Sequence, residues 1–123
     1  MKVAIIPGFS LLKIIVDPGE KVKDIVPATV MPWLYAPWPE ARKRGVIEAE
    51  VSGETLRGLL VELTDRYRRA GVDIEPVESG KDEVNEEYYI YVNGQEYNTL
   101  AEGLDTYLAA GDEVVVDMTW YPD

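Results

Sequence analysis

The side chains that most often carry chemistry are missing from this chain. It has no cysteine and no histidine, which excludes thiolate nucleophiles, disulfides, imidazole bases and thiolate or imidazole metal sites. What remains is carboxylate. Asp and Glu number 23 against 12 Lys and Arg, for a net charge of −11. The densest run, DIEPVESGKDEVNEE at 73–87, holds seven acids and one lysine. Asp82, Glu83, Glu86 and Glu87 are its candidate cation ligands, yet the run lacks the ordered oxygen-ligand spacing and central glycine of a calcium loop. It reads as a solvated, mobile loop, and no metal or cofactor is expected. Nothing singles out a carboxylate pair for acid–base work, so the chain is not expected to be an enzyme.

The second candidate is a binding element. The chain closes on MTWYPD, where Met118, Trp120, Tyr121, Pro122 and Asp123 form a short aromatic tail after a strand-like run. Tryptophan and tyrosine are the residues most enriched at interface hot spots, so one reading is a docking peptide that enters a partner. The other folds the same aromatics back onto the sheet as a cap. A second aromatic stretch, PATVMPWLYAPWP at 27–39, has four prolines with Trp33 and Trp38. It reads as an edge strand or bulge over 30–35 with core-facing aromatics, because Pro32 cannot donate to a ladder; the alternative reading makes Trp33 and Trp38 a second aromatic binding surface.

Charge narrows the partner. Residues 1–45 hold seven basic and four acidic side chains, net +3, while 46–123 hold five and nineteen, net −14. Such a surface repels phosphate backbones and anionic lipid heads and favours a basic protein surface. Neither nucleic acid nor membrane is expected as a partner. The apolar run LLKIIV at 11–16 is too short to span a bilayer, and the N-terminal residues lack the pattern of a signal peptide. The expected location is the cytoplasm.

These groups need a scaffold, and the chain is long enough for one domain with its own core. KVAII (2–6) and LLKIIV (11–16) read as a hairpin around PGFS, and the second strand is apolar on both faces. It must be covered by its own domain or by a second copy, which makes a homodimer through this hairpin one expectation. VIEAEV (46–51) reads as a half-buried strand. In ETLRGLLVELTDRYRRAG, Leu56, Leu59, Leu60, Leu63 and Tyr67 draw one apolar stripe on a helix. Thr55 is placed to cap it, and Gly71 to stop it. Gly58, inside the helix, implies a close backbone approach. YYIYV (88–92), the NG turn at 93–94, a short helical or 3₁₀ crossing and DEVVVDM (112–118) follow. One helix across a mixed sheet, with the last strand central, is an α+β roll of the β-grasp kind.

The last third carries a likeness. In YVNGQEYNTLAEGLDTYLAAGDEVVV, the residues Val92, Asn93, Gly94, Leu100, Gly103, Leu104, Asp105, Thr106, Leu108, Gly111, Asp112 and Val114 resemble the C-terminal signature of the ubiquitin-like sulfur carriers. That family includes the small subunit of molybdopterin synthase and the thiamine sulfur carrier. The likeness spans about 29–116, implying a ubiquitin-like β-grasp domain over 29–123 preceded by a hairpin extension over 1–28. Members of the family end in Gly-Gly, whose carboxylate is adenylated and converted to a thiocarboxylate. Here Pro122 and Asp123 stand at those positions, and no two glycines are adjacent anywhere in the chain. The resemblance therefore implies a non-catalytic relative, an adaptor or accessory subunit of a larger enzyme that binds a basic-faced partner through its acidic surface and tail. The alternative it implies is a sulfur carrier or protein modifier in molybdenum or tungsten cofactor synthesis.

Overall fold

The computed structural model describes residues 1–8, 11–19, 32–78 and 80–119. Strands β1 (Lys2–Pro7) and β2 (Leu12–Val16) form the expected hairpin. Two 3₁₀ turns, Pro32–Tyr35 and Pro39–Lys43, lead to β3 (Ile47–Glu50) and helix α1 (Leu56–Arg69). Then come β4 (Tyr88–Val92), β5 (Gln95–Glu96), the 3₁₀ turns Tyr97–Thr99 and Gly103–Asp105, and β6 (Glu113–Met118). The architecture is α+β: one six-stranded sheet in the order β3-β1-β2-β6-β4-β5, with one α-helix.

Two features differ from expectation, and one cause explains both. Every neighbouring pair in the sheet is antiparallel rather than mixed. β1 and β6 run in the same direction, but β2 lies between them and is antiparallel to each. The hairpin is thus the sheet's second and third strands and completes it from within. Both of its strands have neighbours on either side, so it has no open edge to offer a second copy. The 20–31 segment, which contains the expected boundary at 28, lies outside the described residues.

The apolar alternation explains the pairing. Val3, Ile5, Ile14, Val16, Ile47, Ile90, Val92, Val114 and Val116 are all buried on the helix-facing side. They meet in register, with Ile5 opposite both Ile14 and Ile47, and Val114 opposite both Ile14 and Val92. Onto this face α1 lays Leu56, Leu59, Leu60, Leu63 and Tyr67, the stripe read from the sequence. Full burial of such a side chain contributes about 1.5–3 kcal/mol. The Thr55 hydroxyl caps the helix by accepting from the Gly58 amide at 3.1 Å. Asn93 and Gly94, both at positive φ (51° and 81°), make the primed two-residue turn that NG requires.

The expected strand over 30–35 is instead the 3₁₀ turn at Pro32–Tyr35. Prolines at 32, 37 and 39 remove ladder donors and hold φ near turn values, so this stretch coils over the end of the helix. Leu34 and Tyr35 are buried there, but Trp33, expected to face the core, is exposed. The Tyr35 hydroxyl donates to the Gly45 carbonyl at 2.9 Å, and the Tyr67 hydroxyl donates to the Leu34 carbonyl at 2.7 Å. Trp38 meets Tyr67 edge-on, with centroids 5.8 Å apart. Burial pushes both phenols above their ordinary value of 10.0, with Tyr35 adding to the effect on Tyr67. A group whose pKa is raised on folding contributes stability that is present below its unfolded value and lost as pH climbs toward the folded one. The urea midpoint should therefore hold steady near pH 8 and fall above about pH 10. Tyr67→Phe should flatten that alkaline fall while lowering the neutral-pH midpoint, since the Leu34 carbonyl loses its donor.

Gly58 supplies a sharper test. A Cβ there would lie 3.0 Å from the Gly53 Cα and 3.3 Å from the capping Thr55 hydroxyl, and a Cβ on Gly53 would lie 2.8 Å from Gly58 backbone. Glycine to alanine inside a helix ordinarily gains up to about 1 kcal/mol. Gly58→Ala should instead destabilise, by about 1–3 kcal/mol as overpacking does, measured by urea titration.

Candidate contact surface

The carboxylates do not converge. Among the described residues no cluster of three or more acids is arranged to hold a metal ion. Many are engaged one by one. Glu62 accepts from both the amide and the hydroxyl of Ser52 at 3.0 and 2.6 Å. Burial, the largest single influence on Glu62, pushes its pKa up, yet these two bonds and Arg66 together hold the carboxyl below its ordinary value. Glu75 pairs with Arg68, Asp65 with Arg69, and Glu113 with Lys13. Asp112 takes the Asn93 amide and the Ala109 N–H, bracing the turn into β6. These acids hold turns and helix ends in place.

The exposed side of the sheet is different. Strand alternation sends Ile6, Lys13, Val115 and Tyr91 into one cross-strand row on the face away from α1. Toward the end of β6, Tyr89 and Asp117 form the next pair on that face. Tyr89 is 42 % exposed, and Tyr91, Val115, Glu113 and Asp117 are half-buried. Farther along, Ala4, Ile15 and Val46 form a small buried cluster with Ile6 against it. At the sheet margin Glu48 and Glu50 are exposed. The face is therefore an aromatic and aliphatic strip that carries the Lys13–Glu113 ion pair at 3.0 Å and has further acids around it. Its tyrosines escape a reading of YYIYV as a strand alone. The period-two alternation of Tyr89 and Tyr91 against buried Tyr88, Ile90 and Val92 is the signal that places them outside the core.

Of the tail residues, Met118 is the last residue of β6, opposite Tyr88 and packed against the core. The Thr119 amide continues the ladder by donating to the Glu87 carbonyl at 2.8 Å. Trp120, Tyr121, Pro122 and Asp123 lie outside the described residues. The described part of the chain ends at Thr119, beside Tyr89 and Asp117 at the exposed end of the strip.

The described residues of the acidic stretch 73–87 are anchored to the body of the chain rather than simply solvated. Ile74 and Val77 are buried, and Val77 bridges Val84 across the turn. The Tyr88 and Tyr97 hydroxyls accept the Glu75 and Val84 amides, and the Asn85 side chain donates to the Glu75 carbonyl. Its apolar anchors are too few and too widely spaced to show a period, so composition alone made it look solvated.

Arg57 fastens the tip. It donates to Asp82 at 2.8 Å, to the Lys81 carbonyl at 2.6 Å and to Asp105 at 3.1 Å. A cation in the first helical turn opposes the helix dipole, and these partners offset that. The ion pairs are exposed, so each is worth about 0–1 kcal/mol and is weakened by salt. Arg57→Ala should speed hydrogen exchange at 80–83 with little change in global stability, and raising wild-type salt from about 0.15 M to 1 M should shift the same amides in the same direction. Compared with family models, curated proteins and solved structures, the chain finds no match.

Proposed function

We propose that this chain is a non-catalytic, ubiquitin-like β-grasp protein that serves as an adaptor or accessory subunit of a larger enzyme. It binds a basic-faced protein partner through the outer sheet face and the tail residues Trp120, Tyr121, Pro122 and Asp123, while Met118 stays packed against the core at the end of β6. The observation that carries this reading is the strip of Tyr89, Tyr91 and Val115 beside Asp117 and the Lys13–Glu113 ion pair, at the end of β6 that precedes the tail in sequence. Interface anchors are enriched in such tyrosines. A surface with this charge steers a basic partner toward it. The helix lying across one face of the sheet and the interior position of β6 support a β-grasp relationship. The absence of any Gly-Gly pair in the sequence favours an adaptor over a sulfur carrier.

One experiment separates the two. The chain is incubated with a carrier-activating enzyme, ATP and a sulfur donor, and its mass is read for a thiocarboxylate. None is expected, because the sequence offers no adjacent glycines to lie flat in an activating site, and a positional error of about an ångström costs on the order of 100-fold. In parallel, the tagged protein is used to capture its partner from the native host. Tyr89→Ala and Trp120→Ala should each weaken capture by about 2 kcal/mol, as loss of a central aromatic anchor does. Efficient thiocarboxylation of the unaltered chain would overturn the adaptor reading in favour of the carrier.

A further inference from the structure

β3 ends the sheet, and among the described residues no strand lies on its far side. Its register shows which backbone groups face outward. Met1 and Val51 exchange both hydrogen bonds, the Met1 amine to the Val51 carbonyl at 2.8 Å and the Val51 amide to the Met1 carbonyl at 2.9 Å. In an antiparallel pair such doubly bonded positions alternate. Ala49 and Ile47 therefore also turn toward β1, while Glu48 and Glu50 turn their N–H and C=O groups to the open side. One of these four groups is taken, since Arg66 donates to the Glu50 carbonyl at 2.7 Å. Among the described residues nothing takes the Glu48 N–H, the Glu48 C=O or the Glu50 N–H, and these three groups are left to an incoming strand.

The surroundings differ on the two sides of this edge. On the outer face the Glu48 and Glu50 side chains are exposed, and with Lys2 and Asp17 they border a hollow of about 390 Å³. On the helix side a hollow of about 260 Å³ is lined by Trp38, Pro39, Glu40, Ala41, Arg44 and Glu48. An added strand would alternate its side chains between a carboxylate pair and a recess whose apolar wall is Trp38, Pro39 and Ala41 and whose rim carries Glu40, Arg44 and Glu48. A second copy of β3 is a poor occupant, because it would set Glu48 and Glu50 against their own kind.

We propose that the free edge of β3 is a docking site for an extended segment of a partner protein that alternates Lys or Arg with aliphatic residues and joins the sheet as an additional strand. The cations pair with Glu48 and Glu50, the aliphatics enter the recess beside Trp38, and backbone hydrogen bonds set the register. β1 and β2 separate the site from the tyrosine strip on β4 and β6, so it and the adaptor reading fail independently.

The probe is a capped seven-residue peptide alternating lysine and valine, titrated into the full chain with hydrogen exchange read at single amides. The expected result is slower exchange at Glu48 and Glu50. It should be abolished when the peptide is N-methylated on its edge-facing residues and unchanged in Trp120→Ala. In a Glu48→Lys, Glu50→Lys variant with unchanged circular dichroism, affinity should fall about tenfold or more. A block peptide of the same composition that binds equally well overturns strand addition, because it shows only attraction to a negative surface. Absence of binding overturns it too, as does slow exchange at both amides before any peptide is added. Loss of peptide binding with host capture intact removes this site alone; the converse removes the tail.

Discussion

A single apolar row crosses five strands, and the rest of the molecule depends on it. Ile47, Ile5, Ile14, Val114 and Val92 stand opposite one another in register, all facing α1 and all buried. Because side chains alternate with a period of two, a slip of one residue in any strand would carry its whole apolar set to the outer face. This row therefore fixes every register at once. It also decides what the outer face presents, since Ile6, Lys13, Val115 and Tyr91 form the complementary row one residue out of phase.

The same constraint accounts for the placement of the hairpin. β2 has Leu12, Ile14 and Val16 buried on one side and Ile15 buried on the other, which suits a strand with neighbours at both edges and cover on both faces. Seating it between β1 and β6 makes each contact antiparallel. That leaves β3 and the two-residue β5 as the sheet's margins. Edge strands invite pairing, and here β3 carries two glutamates outward while Arg66, stacked over Trp38 at 5.6 Å, caps one of its carbonyls. Self-pairing is discouraged by the same charges that suit a basic partner.

The acids serve architecture and surface together. Arg57, Arg66, Arg68 and Arg69, four of the five bases in residues 46–123, lie on α1 and reach across to Asp82, Asp105, Glu62, Glu75 and Asp65. The helix thus consumes most of the positive charge of that region in tying down the acidic stretch and its own ends. The remaining acids are left to the surface, where they give the chain its long-range negative field.

Much of this was legible in the residues themselves. The stripe of Leu56, Leu59, Leu60, Leu63 and Tyr67, the Thr55 cap, the NG turn and the close approach at Gly58 are local consequences of periodicity, capping chemistry and φ preference, and they required no knowledge of neighbours. The absence of cysteine and histidine removed whole classes of chemistry on composition alone. Tertiary structure decided the rest. Whether the hairpin stood beside the sheet or inside it depended on long-range pairing between β2 and β6, which no local pattern encodes. The Pro32–Tyr35 turn was set by Tyr67 and the Leu34 carbonyl meeting across 33 residues, and the acidic stretch was ordered by Arg57 and two tyrosine hydroxyls contributed from elsewhere in the chain. The tyrosine strip and the open β3 edge likewise exist only once the register is chosen, because a side chain's face and a strand's free edge are properties of the assembled sheet.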